Sequence, residues 1–460
     1  MKERKLNKAM IATILALAWP TMLEELLQTA VQYIDTAMVG SLGTAATAAV
    51  GATTTVNWLI GSTISALGVR FLSYIAKSSG AGNRQAVKAA MNQLVLVVCA
   101  VGVAATGLTL GVSPMIPKWM QVDPAIQDLA AKYFFVLYLP MLPRTAIILF
   151  GTALRAAGDT KTPMKVGLLV NCINVILNFA LIYPARYVNM FGVSFYLPGA
   201  GMGVIGAAAA SAIAFTVGGI CMTVIVWRHP VISPRGGSYR PDGTILKPCL
   251  KVAMPNMLQR FGTCLGYVAF AAMINSLGEV ATAAHTVANT VESAFYIPGY
   301  GMQSAAATLA GNACGAKDTK RLKELTKMFI PIEVGLMILS GGALFALAEP
   351  LVGVFSKSAA VIALGTTVLR MVAVTEPFYG VTIILEGMMQ GVGNTKKPFI
   401  FMISGMWGVR ILGTFICTQF LHYGLVAAWG CMIAHNLLVF MLFLVSYIRN
   451  GWNPMEVKRV

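Results

Sequence analysis

Apolar runs of about 20 to 27 residues recur along the whole chain, and none alternates with the period of two that a barrel strand needs. Each run is long enough to cross the ~30 Å hydrocarbon core as an α-helix. Twelve spans are predicted, with the first six at roughly 13–38, 48–75, 89–112, 131–153, 164–184 and 201–227. The second six fall at roughly 249–275, 283–310, 326–348, 364–390, 398–420 and 424–448. An even number of spans puts both termini on one side.

Composition agrees with an all-α integral membrane protein. Of 460 residues, 57% are hydrophobic and only 11% charged, with a mean hydropathy of +0.73, against roughly 25% charged in a soluble domain. About 25 of the 34 Lys and Arg lie in the termini and even-numbered loops, among them Lys77, Arg84, Lys88, Arg155, Lys161, Lys317, Lys320 and Arg321. By the positive-inside rule the termini are cytoplasmic. The net charge of +17 is then topological, which argues against a nucleic-acid partner. The basic start MKERKLNK opens a span longer than a signal peptide, so it reads as a retained helix. The eight Cys are scattered without a CxxC pair, so neither a metal site nor a disulfide framework is expected.

The chain repeats itself. Shifting the sequence by 235 residues lays Ala18 and Pro20 on Ala253 and Pro255, and AMVGSLGTAATAA (37–49) on AMINSLGEVATAA (272–284). GDTKTP from Gly158 falls on GNTKKP from Gly393, a pattern that reads as a tight turn followed by a Pro-initiated helix. Each half has six spans, so the copies cross the membrane in the same direction. The expected organisation is two pseudo-symmetric six-helix bundles, 1–227 and 249–460, joined by a basic, Pro/Gly-rich linker, 228–248, that lets them move independently. Duplicated bundles most often serve transport, with substrate between them near the midplane.

The repeat is also an internal control, because positions that differ between the copies are not needed for the shared fold. Glu25, Gln28, Gln32 and Asp35 are spaced 3, 4 and 3 apart along one face of the first helix, opposite Arg260, Thr263, Tyr267 and Phe270. Such a face lines a cavity or packs on polar partners, since an ionised carboxylate in hydrocarbon costs several kcal/mol. For Asp35 the plainer alternatives are a buried ion pair or a position near the outer interface. Asn174 and Asn178 share a face of the fifth span opposite Val409 and Gly413. Interhelical hydrogen bonding explains them structurally, and completing a cation or proton site around Asp35 explains them functionally. In the second half the intramembrane charges are Arg260, Glu292, Glu333, Arg370, Glu376, Glu386 and Arg410, some of which are expected to pair with each other. Glu292 and then Glu376 are favoured as cavity acids for a cationic substrate, with Tyr379 and Glu386 as further candidates. The 26 Met suit either an adaptable cavity or lipid-facing packing.

The spacing from Pro20 to Asp35, SLG after spans one and seven, GDTKTP and GNTKKP, and GMGVIGAAAAS at 201–211 together resemble the bacterial multidrug and toxic compound extrusion (MATE) family. The resemblance covers nearly the whole chain. It implies a V-shaped, monomeric transporter of the inner membrane that exports amphipathic, often cationic compounds in exchange for H⁺ or Na⁺. It implies no cofactor besides that coupling ion. By the resemblance Asp35 matches the first-helix aspartate that binds the coupling cation, Na⁺ included, and Asn174 and Asn178 match the fifth-helix positions that assist it. Some members carry an aspartate where Asn178 stands, so a two-carboxylate site in the first half is absent here. Others carry a seventh-helix acid, in whose neighbourhood Thr263 and Cys264 stand, and a tenth-helix acid near Tyr379, and these gaps weaken transfer of a sodium site in the second half.

A flippase for a lipid-linked precursor is the nearest rival, kept open by Arg70, Arg144, Arg260 and Arg410. An enzyme is disfavoured, since there is no HExxH, paired protease aspartates or Ser/His arrangement. A primary pump is disfavoured by the lack of a GxxxxGK[ST] loop. A channel is argued against only by the duplication.

Overall fold

The computed structural model describes residues 2–119, 122–190 and 193–455. Its helices are α1 (Lys2–Gly40), α2 (Thr44–Gly80), α3 (Arg84–Val112), the short α4 (Ile116–Trp119), α5 (Gln127–Tyr138), α6 (Met141–Ala156) and α7 (Lys161–Leu181). A hairpin of β1 (Pro184–Met190) and β2 (Val193–Ala200) leads to α8 (Gly203–Arg228). The second half runs α9 (Gly243–Asn275), α10 (Glu279–Gly315), α11 (Thr319–Phe355), α12 (Ala359–Ala373) and α13 (Glu376–Gly391). It ends with α14 (Lys396–Gly405), α15 (Leu412–Phe415) and α16 (Leu425–Ile448), with π-helical turns at Met406–Ile411 and Ile416–Phe420 on either side of α15.

Among the described residues nine helices are long and apolar enough to cross a membrane, and eleven spans result when two bent pairs are each counted once. The long α10, which carries Glu279 and Glu292, is not among these eleven and covers the remaining predicted span, 283–310. The bends fall inside the spans predicted at 131–153 and 364–390, where α5 meets α6 at 51° and α12 meets α13 at 54°. Pro140 and Pro377 stand at these breaks, each lacking the amide donor that a continuous helix would use. The 235-residue repeat lays one break on the other. The antiparallel hairpin was not foreseen in the sequence, and the described residues of the second half have no counterpart.

Repeat motifs supply the turns. Gly43 and Gly278 of the two SLG segments have φ of +117° and +106°, and Gly158 and Gly393 have +90° and +77°. A side chain there would meet the left-handed steric penalty that only glycine escapes. In the first copy Asp159 Oδ1 accepts from the Thr162 backbone N–H at 3.0 Å, opening α7.

The chain divides into two compact units. One holds Leu26–Gly68 and Arg84–Leu246, with a small core of Met38, Val39, Ile182 and Val204. Its helices approach closely through glycine: a methyl at Gly206 would lie 2.5 Å from the Leu181 carbonyl oxygen. The connector as far as Leu246 belongs to this unit and is docked on α3, where Gln93 donates to the Arg240 carbonyl at 2.9 Å and accepts from the Asp242 N–H at 3.0 Å. The other unit holds Met1–Glu25, Val69–Asn83 and Lys247–Val460. Ile14 and Ala18 of α1 thus enter a core with Met302, Leu309, Phe329, Met388 and Phe443. A second core in that unit gathers Phe270, Leu344, Leu369 and Trp429.

Candidate functional site

Three helices of the first unit converge on Asp35, which α1 carries near its C-terminal end. Asn178 of α7 donates from Nδ2 to Asp35 Oδ1 at 2.5 Å. Asn174, one turn earlier, lies beside the same carboxyl group. With its Nδ2 turned towards the carboxylate it donates to Asp35 Oδ1 at 2.8 Å, while its Oδ1 accepts from Ser211 Oγ at 2.8 Å. Asn174 and Asn178 are both buried, so their amides are fixed by these partners and not by water. The sequence brought forward Asp35 and both asparagines but passed over Ser211 of α8, although it ends the GMGVIGAAAAS stretch. A single hydroxyl in an alanine-rich helix carries no signal until α7 is seen against it.

The rest of the first-helix stripe is divided. Gln28 and Gln32 are exposed and belong to the unit of Asp35, whereas Glu25 belongs to the other. Deeper in the first unit, Asn57 Oδ1 accepts from Tyr138 Oη at 2.6 Å and from Arg144 Nη2 at 2.9 Å. The Arg144 guanidinium also lies 4.9 Å from the centre of the Phe215 ring.

In the other unit a cavity of about 40 Å³ is bounded by Glu292, Arg410, Tyr267, Tyr296, Tyr379 and His435. Met402, Met406 and Met432 complete part of its wall, which places three methionines at a cavity. Glu292 and Tyr379 are the repeat partners of Asn57 and Arg144, so one pair of positions carries a base and an amide in one half and an acid and a phenol in the other. Arg410 sits in the π-helical turn Met406–Ile411, whose wider turn changes the direction of a side chain. Its guanidinium stacks 4.1 Å from the Phe270 ring centre and 4.8 Å from that of Tyr267.

The expected pairing among second-half charges is not what the structure shows. Among the described residues, Glu292, Glu333, Glu376, Glu386 and Arg410 form no ion pair within 4.0 Å. Aromatic faces accommodate Arg410, and amides accommodate Glu386. Glu386 accepts from Gln259 at 2.8 Å, Gln303 at 3.0 Å and Gln390 at 3.1 Å, all buried. This clamp lies apart from the cavity lining. Glu376 is buried at the start of α13 with Oε2 unpartnered, and both carboxyl oxygens of Glu333 are likewise without a partner among the described residues. The glutamines escaped sequence reasoning because they lie on three different helices.

Two related sets of membrane helices, with acids and amides held at span depth, define a transporter fold. The family model MatE matches residues 20–180 and 255–416, one segment in each repeat half, and the chain belongs to that family. A probable multidrug resistance protein NorM of Thermotoga maritima is 27% identical over 444 residues, covering 96% of this chain and 93% of the relative. The multidrug resistance protein MdtK of Edwardsiella ictaluri is 24% identical over 405 residues, covering 86% of this chain and 85% of its own. An outward-facing structure of a MATE transporter superposes with a TM-score of 0.85 at 23% identity, covering 95% of both chains. A Pyrococcus furiosus MOP superfamily transporter, described as having reverse polarity in its binding pocket, gives 0.86 at 22%, covering 97% of this chain and 96% of that one. These two likenesses concern the fold.

Proposed function

We propose that this protein is a secondary active multidrug efflux antiporter, exporting amphipathic, often cationic compounds in exchange for H⁺ or Na⁺. Its place is the cell inner membrane, with both termini cytoplasmic, and two lobes, 1–227 and 249–460, alternate access about the connector 228–248. The family membership and the multidrug resistance names of the relatives support the export class. The observation that carries the coupling is the Asp35 site, in which two buried amides face one carboxyl group.

Those amides suit a site that changes charge. While Asp35 is ionised, Asn178 and Asn174 offer it N–H donors that stabilise the negative charge to which a cation or a cationic drug is drawn. A bound proton or sodium ion neutralises the carboxylate, and the Asn174 amide, turned over, presents its oxygen instead. Either occupant displaces the other, which is the exchange that antiport requires. Glu292 and its aromatic surroundings are the acid of the substrate cavity in the second half.

The test is pH-gradient-driven transport of a fluorescent organic cation in sodium-free proteoliposomes, with wild type beside Asp35→Asn. Transport by the wild type and none by the variant, at equal membrane abundance, is the expected result. Unimpaired transport by Asp35→Asn would overturn the site. A silent wild type directs the assay to a sodium gradient, and silence there to an anionic lipid-precursor headgroup.

A further inference from the structure

Two buried polar atoms at the second-half cavity have no partner among the described residues. One is Nε of Arg410, a residue 3% exposed, and the other is Nδ1 of His435, which is 4% exposed. Both side chains line the same space as Glu292. A buried donor without an acceptor forfeits the hydrogen bond that water would have supplied, so each such atom points to an occupant. The rings of Phe270 and Tyr267 stabilise the charge of Arg410 but do not satisfy its Nε. All of these residues belong to one compact unit.

The repeat shows that the fold does not require this arginine. Its partner 235 residues earlier is Val175, inside α7, which runs as unbroken α-helix from Lys161 to Leu181. The span that carries Arg410 instead contains the π-helical turn Met406–Ile411, a rare geometry found mostly at functional sites. Arg410 and Glu292 thus reach one cavity from two different helices, with no ion pair between them within 4.0 Å. Opposite charges that share a space without touching are left for a ligand to join.

We propose that the second-half cavity is a carboxylate subsite, held by Arg410 and His435, through which the protein takes zwitterionic amphiphiles as well as cations. This rests on the reading of Glu292 as the acid of the substrate cavity. A guanidinium presents its N–H groups in a fixed fork that matches the two oxygens of a carboxylate. With its proton on Nδ1, His435 donates once more. Glu292 receives the cationic group of the same compound, whereas a simple cation meets Glu292 and leaves the Arg410 donor unmade. The space agrees with this: about 40 Å³ is room for a few waters, which suits a carboxylate group and leaves the apolar body of the compound outside. A lipid pyrophosphate fits it less well. Arg410 is the only Lys or Arg among the described residues of the lining, so a second negative charge would face Glu292 with no cation to offset it.

The experiment titrates the purified full-length protein in detergent with a rhodamine dye that carries a free carboxylate and with the methyl ester of that dye, read by fluorescence polarisation. The two share one cationic ring system, so the ratio of their affinities isolates the carboxylate. No gradient is needed, which makes the result independent of the coupling ion. The wild type should bind the free acid several-fold more tightly than the ester. Arg410→Gln should lose that preference and bind the ester at least as well as the wild type, because a repelling charge is gone. Arg410→Lys should fall between them, since an ammonium retains the charge and loses the fork. His435→Phe, which leaves the guanidinium in place, should narrow the ratio even where the arginine variants fail to fold. Equal affinities for the two dyes in the wild type, or a preference that survives Arg410→Gln, would overturn the carboxylate site and leave the cation reading of Glu292 standing. Binding of neither dye would overturn that reading and the carboxylate site with it.

Discussion

Asn178 Nδ2 donates to Asp35 Oδ1 across 143 residues of sequence, joining α7 to the C-terminal part of α1. The carboxylate has few other means of holding a charge at that depth. A hydrogen bond to a charged group contributes about 1.5–3 kcal/mol. Asn178→Leu should therefore slow gradient-driven export roughly tenfold or more at matched membrane abundance. Initial rates in proteoliposomes check this, and an unchanged rate would make Asn178 a packing residue only.

Glu292 is the carboxylate of the second-half cavity, facing a space shared with Arg410. Glu292→Gln keeps the shape and removes the charge. Binding of an organic cation should weaken about tenfold, or ~1.4 kcal/mol, as read by fluorescence titration of the purified protein. Equal affinity in the variant would take Glu292 out of substrate recognition.

Glu386 has a different task from Glu292, because three glutamine amides from α9, α10 and α13 close upon it. Glu386→Ala leaves three buried donors unpaired, each at a cost of about 1–3 kcal/mol. A marked loss of thermal stability in detergent is expected, with Glu386→Gln in between. A variant that melts normally yet no longer binds substrate would show that the clamp serves the ligand and not the fold.

The connector carries a pH-dependent element. His229, just past α8, accepts the backbone N–H groups of Val231 and Ile232 at Nδ1, at 3.2 and 3.3 Å. Burial pulls its pKa below the ordinary histidine value, and Asp159, 3.8 Å away, opposes this in part. A base with a lowered folded-state pKa contributes stability above its unfolded value, about 6.5, and loses it as the pH falls further. The amide protection factors of Val231 and Ile232, taken relative to the intrinsic exchange rate at each pH, should thus fall on acidification below that point, and His229→Gln should abolish the change.

Period and composition alone determined that this chain spans the membrane in helices, because a helix must satisfy its backbone internally where no water can. The 235-residue repeat likewise disclosed the duplication, and Gly158 and Gly393 could be read as turns, where the structure gives them positive φ. Asp35, Asn174 and Asn178 were legible as polar residues missing from the second copy.

Tertiary structure decided what those residues touch. Ser211 joins Asn174, three glutamines surround Glu386, and Arg410 rests on Phe270 and Tyr267 and not on an acid. Local sequence sets the helix and the face that each side chain occupies, whereas hydrogen bonds and close packing between distant helices are fixed only when those faces come together.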